Sequence, residues 1–215
     1  MSTAARILAE TPAEVQRERR TRAGMTATTR RLLVDIGRNH FGEFGYNEIS
    51  LEGVAAEAGL TRGALYHQFG SKLGLFCAVV DDIDQDIDRR FAAQIEAAGT
   101  DSSDFWETTR IASRCYLEAF RSAHIRRIMI KDAPNYYPDF SRRPSRLHNH
   151  KNTVRTLKQW SARDGFAMHP DAMVSMLEGA IAGLFDWAME FDPDFDDIQN
   201  QADSFLSRLA LTDTV

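Results

Sequence analysis

At 215 residues and 43% hydrophobic composition, the chain is long enough for one large domain or two small ones and apolar enough to bury a core rather than stay disordered. Its formal charge of −5 excludes a nonspecific nucleic-acid coat, yet residues 1–74 carry 10 basic and 8 acidic side chains against 16 and 23 in the remainder. A locally basic N-terminal part on an acidic body fits a DNA reader attached to something that does not touch DNA.

No apolar run approaches the ~18 residues of a membrane helix. The longest, Gly179 to Phe185, stops at Asp186. The N-terminus has no signal-peptide core, and Glu10, Glu14 and Glu18 argue against a transit peptide. These features predict a cytoplasmic protein with no membrane partner, in which Cys77 and Cys115 stay reduced.

Helical spacing dominates, and the fold expected is all-α. Basic residues concentrate at Arg17, Arg19, Arg20, Arg22, Arg30 and Arg31. Residues 1–25 read as a basic arm, either touching DNA or lying solvated. The first helix is expected from Thr26 to Phe44, with Leu33, Ile36, Phe41 and Phe44 recurring at helical spacing and Gly45 ending it. Arg38 should snorkel to the surface, and His40 should be partly buried with one hydrogen bond. Ser50 caps a short helix, Leu51 to Ala58. Thr61 opens a third, ending near Gly70. Ser71 caps a fourth, Lys72 to about Ala97. Its acidic run, Asp81, Asp82, Asp84, Asp86 and Asp88, lacks the glycine and terminal glutamate of a calcium loop and reads as a solvated face.

Further helices are expected from Asp104 to Arg121 and from Ile125 to Lys131, ending before Pro134. Pro134 to Pro144 reads as a loop. A helix through Leu147 and Leu157 to Ala162, one from Pro170 to Phe191, and one opened by Pro193 and Asp194 complete the chain. The layout is three N-terminal helices over residues 26–71 and six over residues 72–215.

The densest signal runs from Ser50 to Lys72. Two short helices that cross closely need a small residue at the crossing, a turn residue tolerant of positive φ, and an apolar residue pointing back. Ala55, Gly59 and Leu65 supply these, as a helix-turn-helix requires. The second helix then faces a major groove with Thr61, Arg62, Gly63, Tyr66 and His67. Arg62 can give a guanine edge two hydrogen bonds or grip a phosphate. Gly63 lets the backbone approach, Tyr66 and His67 suit phosphate oxygens, and Lys72 adds a cation. Helix N-termini near Ser50 and Ser71 offer N–H groups to phosphates.

The stretch from Arg31 to Phe76 resembles the DNA-binding domain of the TetR family. The resemblance is carried by Phe41, Gly45, Tyr46, Val54-Ala55, Ala58-Gly59 and Thr61-Arg62-Gly63-Ala64-Leu65-Tyr66 with Phe69 and Lys72. It implies a homodimeric regulator on double-stranded operator DNA, released by a small-molecule inducer. The positions implied to contact DNA are Ser50, Thr61, Arg62, Gly63, Tyr66, His67 and Lys72.

The C-terminal part resembles the family in layout alone. Ala172, Ser175, Gly179 and Ala182 form a small-residue face, with Gly183 beside it. Met176, Ala180, Leu184 and Trp187 line an adjacent one. These faces suit either dimerisation or packing within one chain. Trp106, Arg110, Tyr116, Met129, Tyr137, Trp160, Met173 and Leu177 are candidates for an inducer pocket, although any one of them is more simply read as core packing, or as a surface charge for Arg110. His148 and His150 lie two residues apart and would chelate one metal poorly on a helix. With no phosphate loop, nucleophile elbow or dinucleotide fingerprint, no catalytic residue, metal or cofactor is assigned. Two alternatives remain: the same fold answering to a protein partner, and a helical enzyme.

Overall fold

The computed structural model describes residues 12–99, 104–164, 169–191 and 194–211, and every regular element among them is helical. The chain divides between Val79 and Val80 into two compact units.

In the first unit, α1 spans Pro12–Phe44, α2 Leu51–Glu57 and α3 Arg62–Phe69, followed by the first turns of α4, Lys72–Ala98. The helix expected to begin at Thr26 begins at Pro12, so residues 12–25 of the supposed arm are helical. Their composition explains this. Proline pre-sets the first helical φ, and the Glu, Gln, Arg and Ala that follow are strong helix formers. The side chains of Arg17, Arg19, Arg20 and Arg22 lie outside the described residues.

Leu33, Phe41, Val54, Leu65, Leu75 and Phe76 are fully buried and hold this unit together. Phe41 and Phe76 meet edge to face at 4.8 Å, and Tyr46 and Phe76 at 5.0 Å. His40 is 20% exposed and shares a 2.7 Å hydrogen bond with Glu57, which ties α1 to α2.

The second unit holds the rest of α4, then α5 Phe105–Phe120, α6 Ala123–Arg126 and α7 Ala133–Tyr136. After these come α8 Pro144–Asp164, α9 Pro170–Phe191 and α10 Phe195–Leu211. Asp104 caps α5 by accepting from the Glu107 N–H at 3.1 Å. Between α6 and α7 the backbone widens into a π-helical turn, Arg127–Asp132, where the Ala133 N–H reaches back to the Ile128 carbonyl. The helix expected to stop before Pro134 therefore runs through it. A widened turn makes room for the proline ring and its missing N–H. The expected loop from Pro134 to Pro144 likewise contains α7 and a 3₁₀ turn, Phe140–Arg142.

Phe105, Trp106, Leu157, Val174 and Leu206 form the main core of this unit. A smaller cluster of Leu117, Ile198 and Ala202 lies beneath Leu184 and Phe185.

The acidic run of α4 is not a solvated face. Asp84 is 2% exposed and Asp82 8%. Arg143, itself 7% exposed, donates from Nε at 2.6 Å and from Nη2 at 3.2 Å to the two Asp84 oxygens. Ser145 donates to the same carboxylate, the Tyr137 hydroxyl donates to Asp81 at 2.9 Å, and Asn149 donates to Asp88 at 3.0 Å. Residues 81, 84 and 88 recur at helical spacing, so one face of α4 carries a ladder of carboxylates. The segment from Tyr137 to Asn149 supplies its partners. A buried carboxylate is tolerable only when paired in this way.

Candidate nucleic-acid interface

The geometry starts with the turn between α2 and α3. Gly59 adopts φ 66, and the Leu60 N–H closes back on the Ala55 carbonyl at 2.8 Å, ending α2 in a left-handed cap. Ala55 is 1% exposed and Leu65 fully buried, so the small residue and the inward anchor sit as the spacing requires. Ser50 caps α2, its Oγ accepting from the Gly53 N–H at 3.1 Å. Thr61 caps α3, its Oγ1 accepting from the Ala64 N–H at 3.2 Å.

With Leu65 turned inward, Thr61, Arg62, Gly63, Tyr66 and His67 are all exposed. A Cβ built on Gly63 would meet only Thr61 Oγ1, at 3.8 Å, so the start of α3 presents bare backbone to whatever docks there. Ser50, at the start of α2, is exposed as well.

Arg62 is pre-arranged at the start of α3. Its Nη2 donates to the Tyr66 hydroxyl at 3.1 Å, its Nη1 pairs with the Glu52 carboxylate, and its guanidinium lies 5.1 Å from the Tyr66 ring centre. The hydrogen bond to Tyr66, then the negative charge of Glu52, favour the charged form and push the guanidinium pKa above its ordinary value. A guanidinium has five N–H donors, so most remain for an incoming acceptor. Nothing in the spacing of residues 52 and 62 singled out Glu52, because the pair forms only once α2 and α3 have crossed.

Lys72 is held from within its own unit. Its ammonium donates to the Ile49 carbonyl at 2.8 Å and the Asn47 carbonyl at 3.0 Å, and lies 5.0 Å from the Tyr46 ring centre. It holds the α1–α2 connection to the start of α4 and is half-buried. Arg30, from the basic run, stacks on Phe69 at 4.5 Å and braces the end of α3.

Gly74 explains how closely α3 and α4 approach. A Cβ there would fall 2.0 Å from the Phe69 carbonyl oxygen. Ser71 accepts from the Gly74 N–H at 3.0 Å, so the first turn of α4 is capped against the last residue of α3.

The candidate pocket residues do not all come together. Trp106, Met173 and Leu177 share one buried cluster, with Trp160 packed against it. Tyr116 and Tyr137 stand instead along the α4 carboxylate ladder. Burial, followed by the charge of Asp84, pushes the Tyr116 hydroxyl pKa up. Met129 is buried on the π-helical turn. Arg110 pairs with Glu107 at 2.7 Å on its own helix.

A capped, glycine-hinged helix pair presenting a polar outer face defines a helix-turn-helix protein. Residues 33–79 match the profile of bacterial regulatory proteins of the tetR family. A TetR-family transcriptional regulator from Pectobacterium atrosepticum is 33% identical, with a TM-score of 0.64, and the alignment covers 88% of this chain and 94% of that one. The HTH-type transcriptional regulator BetI of Agrobacterium fabrum is 29% identical over 121 residues, half of this chain and 59% of that protein. SmeT, solved with triclosan, shares the fold at 19% identity and a TM-score of 0.59, covering 86% of this chain and 90% of that one. This chain belongs to the TetR family of transcriptional regulators. No described helix is long and apolar enough to cross a membrane.

Proposed function

We propose that this chain is a homodimeric repressor whose α3 helices read a palindromic operator and whose second unit binds the small molecule that releases it. The carrying observation is the exposed group Arg62, Gly63, Tyr66 and His67 around the buried anchor Leu65. Arg62 is the base reader. Tyr66, His67 and the capped N-terminus of α2 grip phosphates, and Lys72 acts mainly by fixing the loop before α2. Two such helices in successive major grooves require a centre-to-centre spacing of about 34–36 Å.

Dimerisation is supported by α9. Ala172, Ser175, Gly179 and Ala182 are exposed, and a Cβ on Gly179 or Gly183 would meet nothing within 4 Å. Met176 is 63% exposed and Phe205, on α10, 43%. Apolar and small residues left bare on adjacent helices suit a helical interface between copies.

Control by a ligand is supported by Trp106. Its Nε1 is buried with no hydrogen-bond partner among the described residues, beside Trp160, Met173 and Leu177. A buried indole N–H usually finds an acceptor, and a polar group on an inducer would supply one. Such a ligand lowers DNA affinity by its preference for the conformation that binds DNA less well.

Footprinting of the gene's own upstream region tests the reading. Protection of a palindrome, relieved by a small molecule, is the expected result. Absence of any shifted fragment at low salt would refute it.

A further inference from the structure

Charge is sorted along the second unit with unusual sharpness. Residues 140–163 contain seven Lys and Arg and no Asp or Glu. Residues 170–207, which make α9 and most of α10, contain nine Asp and Glu and no Lys, Arg or His. A dimer built on α9 and α10 brings two such acidic helix pairs together, and like charges in apposition oppose association.

Some of this charge is neutralised within the chain. Glu178 meets Arg146 at 3.2 Å and His150 at 2.9 Å, Asp203 meets Arg114 at 3.1 Å, and Arg121 pairs with Asp196. Asp186, Glu190, Asp194 and Asp197 have no cationic partner among the described residues. They cluster at the end of α9 and the start of α10, and all are exposed.

The complementary feature lies on α8. A groove of about 640 Å³ lies beside the start of α9, lined by His150, Lys151, Val154, Arg155, Lys158 and Gln159 of α8 and by Asp171 of α9. Lys151 and Arg155 are exposed and have no ion-pair partner among the described residues. Lys158 reaches Asp171 only at 3.9 Å. The space is larger than a single ion needs, and its cations repeat along the helix as a row.

We propose that this basic groove receives the acidic end of α9 and start of α10 from a second copy of the chain. Each subunit then contributes one groove and one acidic segment, and two reciprocal sets of ion pairs fix the register of the dimer. The inference rests on the dimeric reading above. It adds what overcomes the repulsion between acidic helices and predicts that high salt loosens the dimer.

A charge swap on the full-length chain tests it by sedimentation equilibrium. Lys151→Glu/Arg155→Glu leaves groove and segment both acidic, and Asp186→Lys/Glu190→Lys leaves both basic. Each variant alone is expected to dimerise at least about tenfold more weakly than wild type, while the two mixed together form a heterodimer of near wild-type affinity. Recovery in the mixture excludes simple misfolding of either variant. Two variants that each dimerise like wild type, at low and high salt alike, overturn the proposal. The same holds if wild type, but not Lys151→Glu/Arg155→Glu, binds inorganic phosphate while dimerisation is unchanged, since the groove is then a small-anion site. A wild-type chain that stays monomeric refutes the dimeric reading itself, a separate outcome.

Discussion

The outer face of α3 and the inner face of α4 both carry charged side chains in pairs, but they hold them under opposite conditions. On α3, Arg62 and its partner Glu52 are each more than half exposed. At the inner face of α4, the side chains of Asp84 and its partner Arg143 are 2% and 8% exposed. An exposed pair is worth little, typically below ~1 kcal/mol, so it can be exchanged for a phosphate or a base at small cost. A buried pair broken on one side leaves an uncompensated charge and costs about 3–5 kcal/mol. The surface proposed to read DNA therefore keeps its ion pair loose enough to trade, and the second unit keeps its own locked.

The largest test of that contrast is Asp84→Ala. It strands Arg143 and is expected to cost about 3–5 kcal/mol in a denaturant titration. A loss near that of a surface substitution would show that the ladder is not a lock. Arg62→Ala comes next, with an expected loss of about 1–3 kcal/mol in operator binding and almost none in folding stability. Equal losses on operator and random DNA would assign Arg62 to a phosphate rather than a base.

Gly74→Ala probes the close approach in the first unit. In an ordinary helix interior this change stabilises by up to ~1 kcal/mol. Here the sign is expected to reverse, because the new methyl collides with the Phe69 carbonyl, and thermal unfolding of the variant reads it directly.

Glu52→Gln should alter stability by less than ~1 kcal/mol, but it removes a negative charge from the surface proposed to face DNA. The expected outcome is a gain in affinity that is larger on random DNA than on operator, and so a smaller specificity ratio. The smallest effect belongs to Tyr116. Its raised pKa means that above about pH 10 the unfolded chain ionises this tyrosine while the folded chain does not. Stability should therefore fall as pH rises through that window, and Tyr116→Phe should flatten the fall.

The same contrast decides what could be read from the sequence. Ser50 caps Gly53, Thr61 caps Ala64 and Arg62 meets Tyr66, all within four residues, so helical periodicity alone places them. Ala55, Gly59 and Leu65 fix the crossing in the same local way. The ladder on α4 finds its partners 56 to 61 residues away. Without knowing that Arg143 packs there, five aspartates on one helix look like a face turned to water. The pairing of Glu52 with Arg62 and the two carbonyls that hold Lys72 are hidden from the sequence for a related reason. Each contact exists only after two elements have met. The extension of α1 back to Pro12 is legible by another route, since residues 12–25 are rich in helix formers as well as in charge.

Gly74 carries a practical consequence for anyone re-engineering operator preference. Because the Phe69 carbonyl fills the space a side chain would need at Gly74, the end of α3 and the start of α4 are cut to fit one another. A helix transplanted at residues 61–69 brings a backbone carbonyl to position 69 and leaves Gly74 in place, so it keeps this joint. A graft carried past residue 74 has to bring a glycine to that position or lose the close approach.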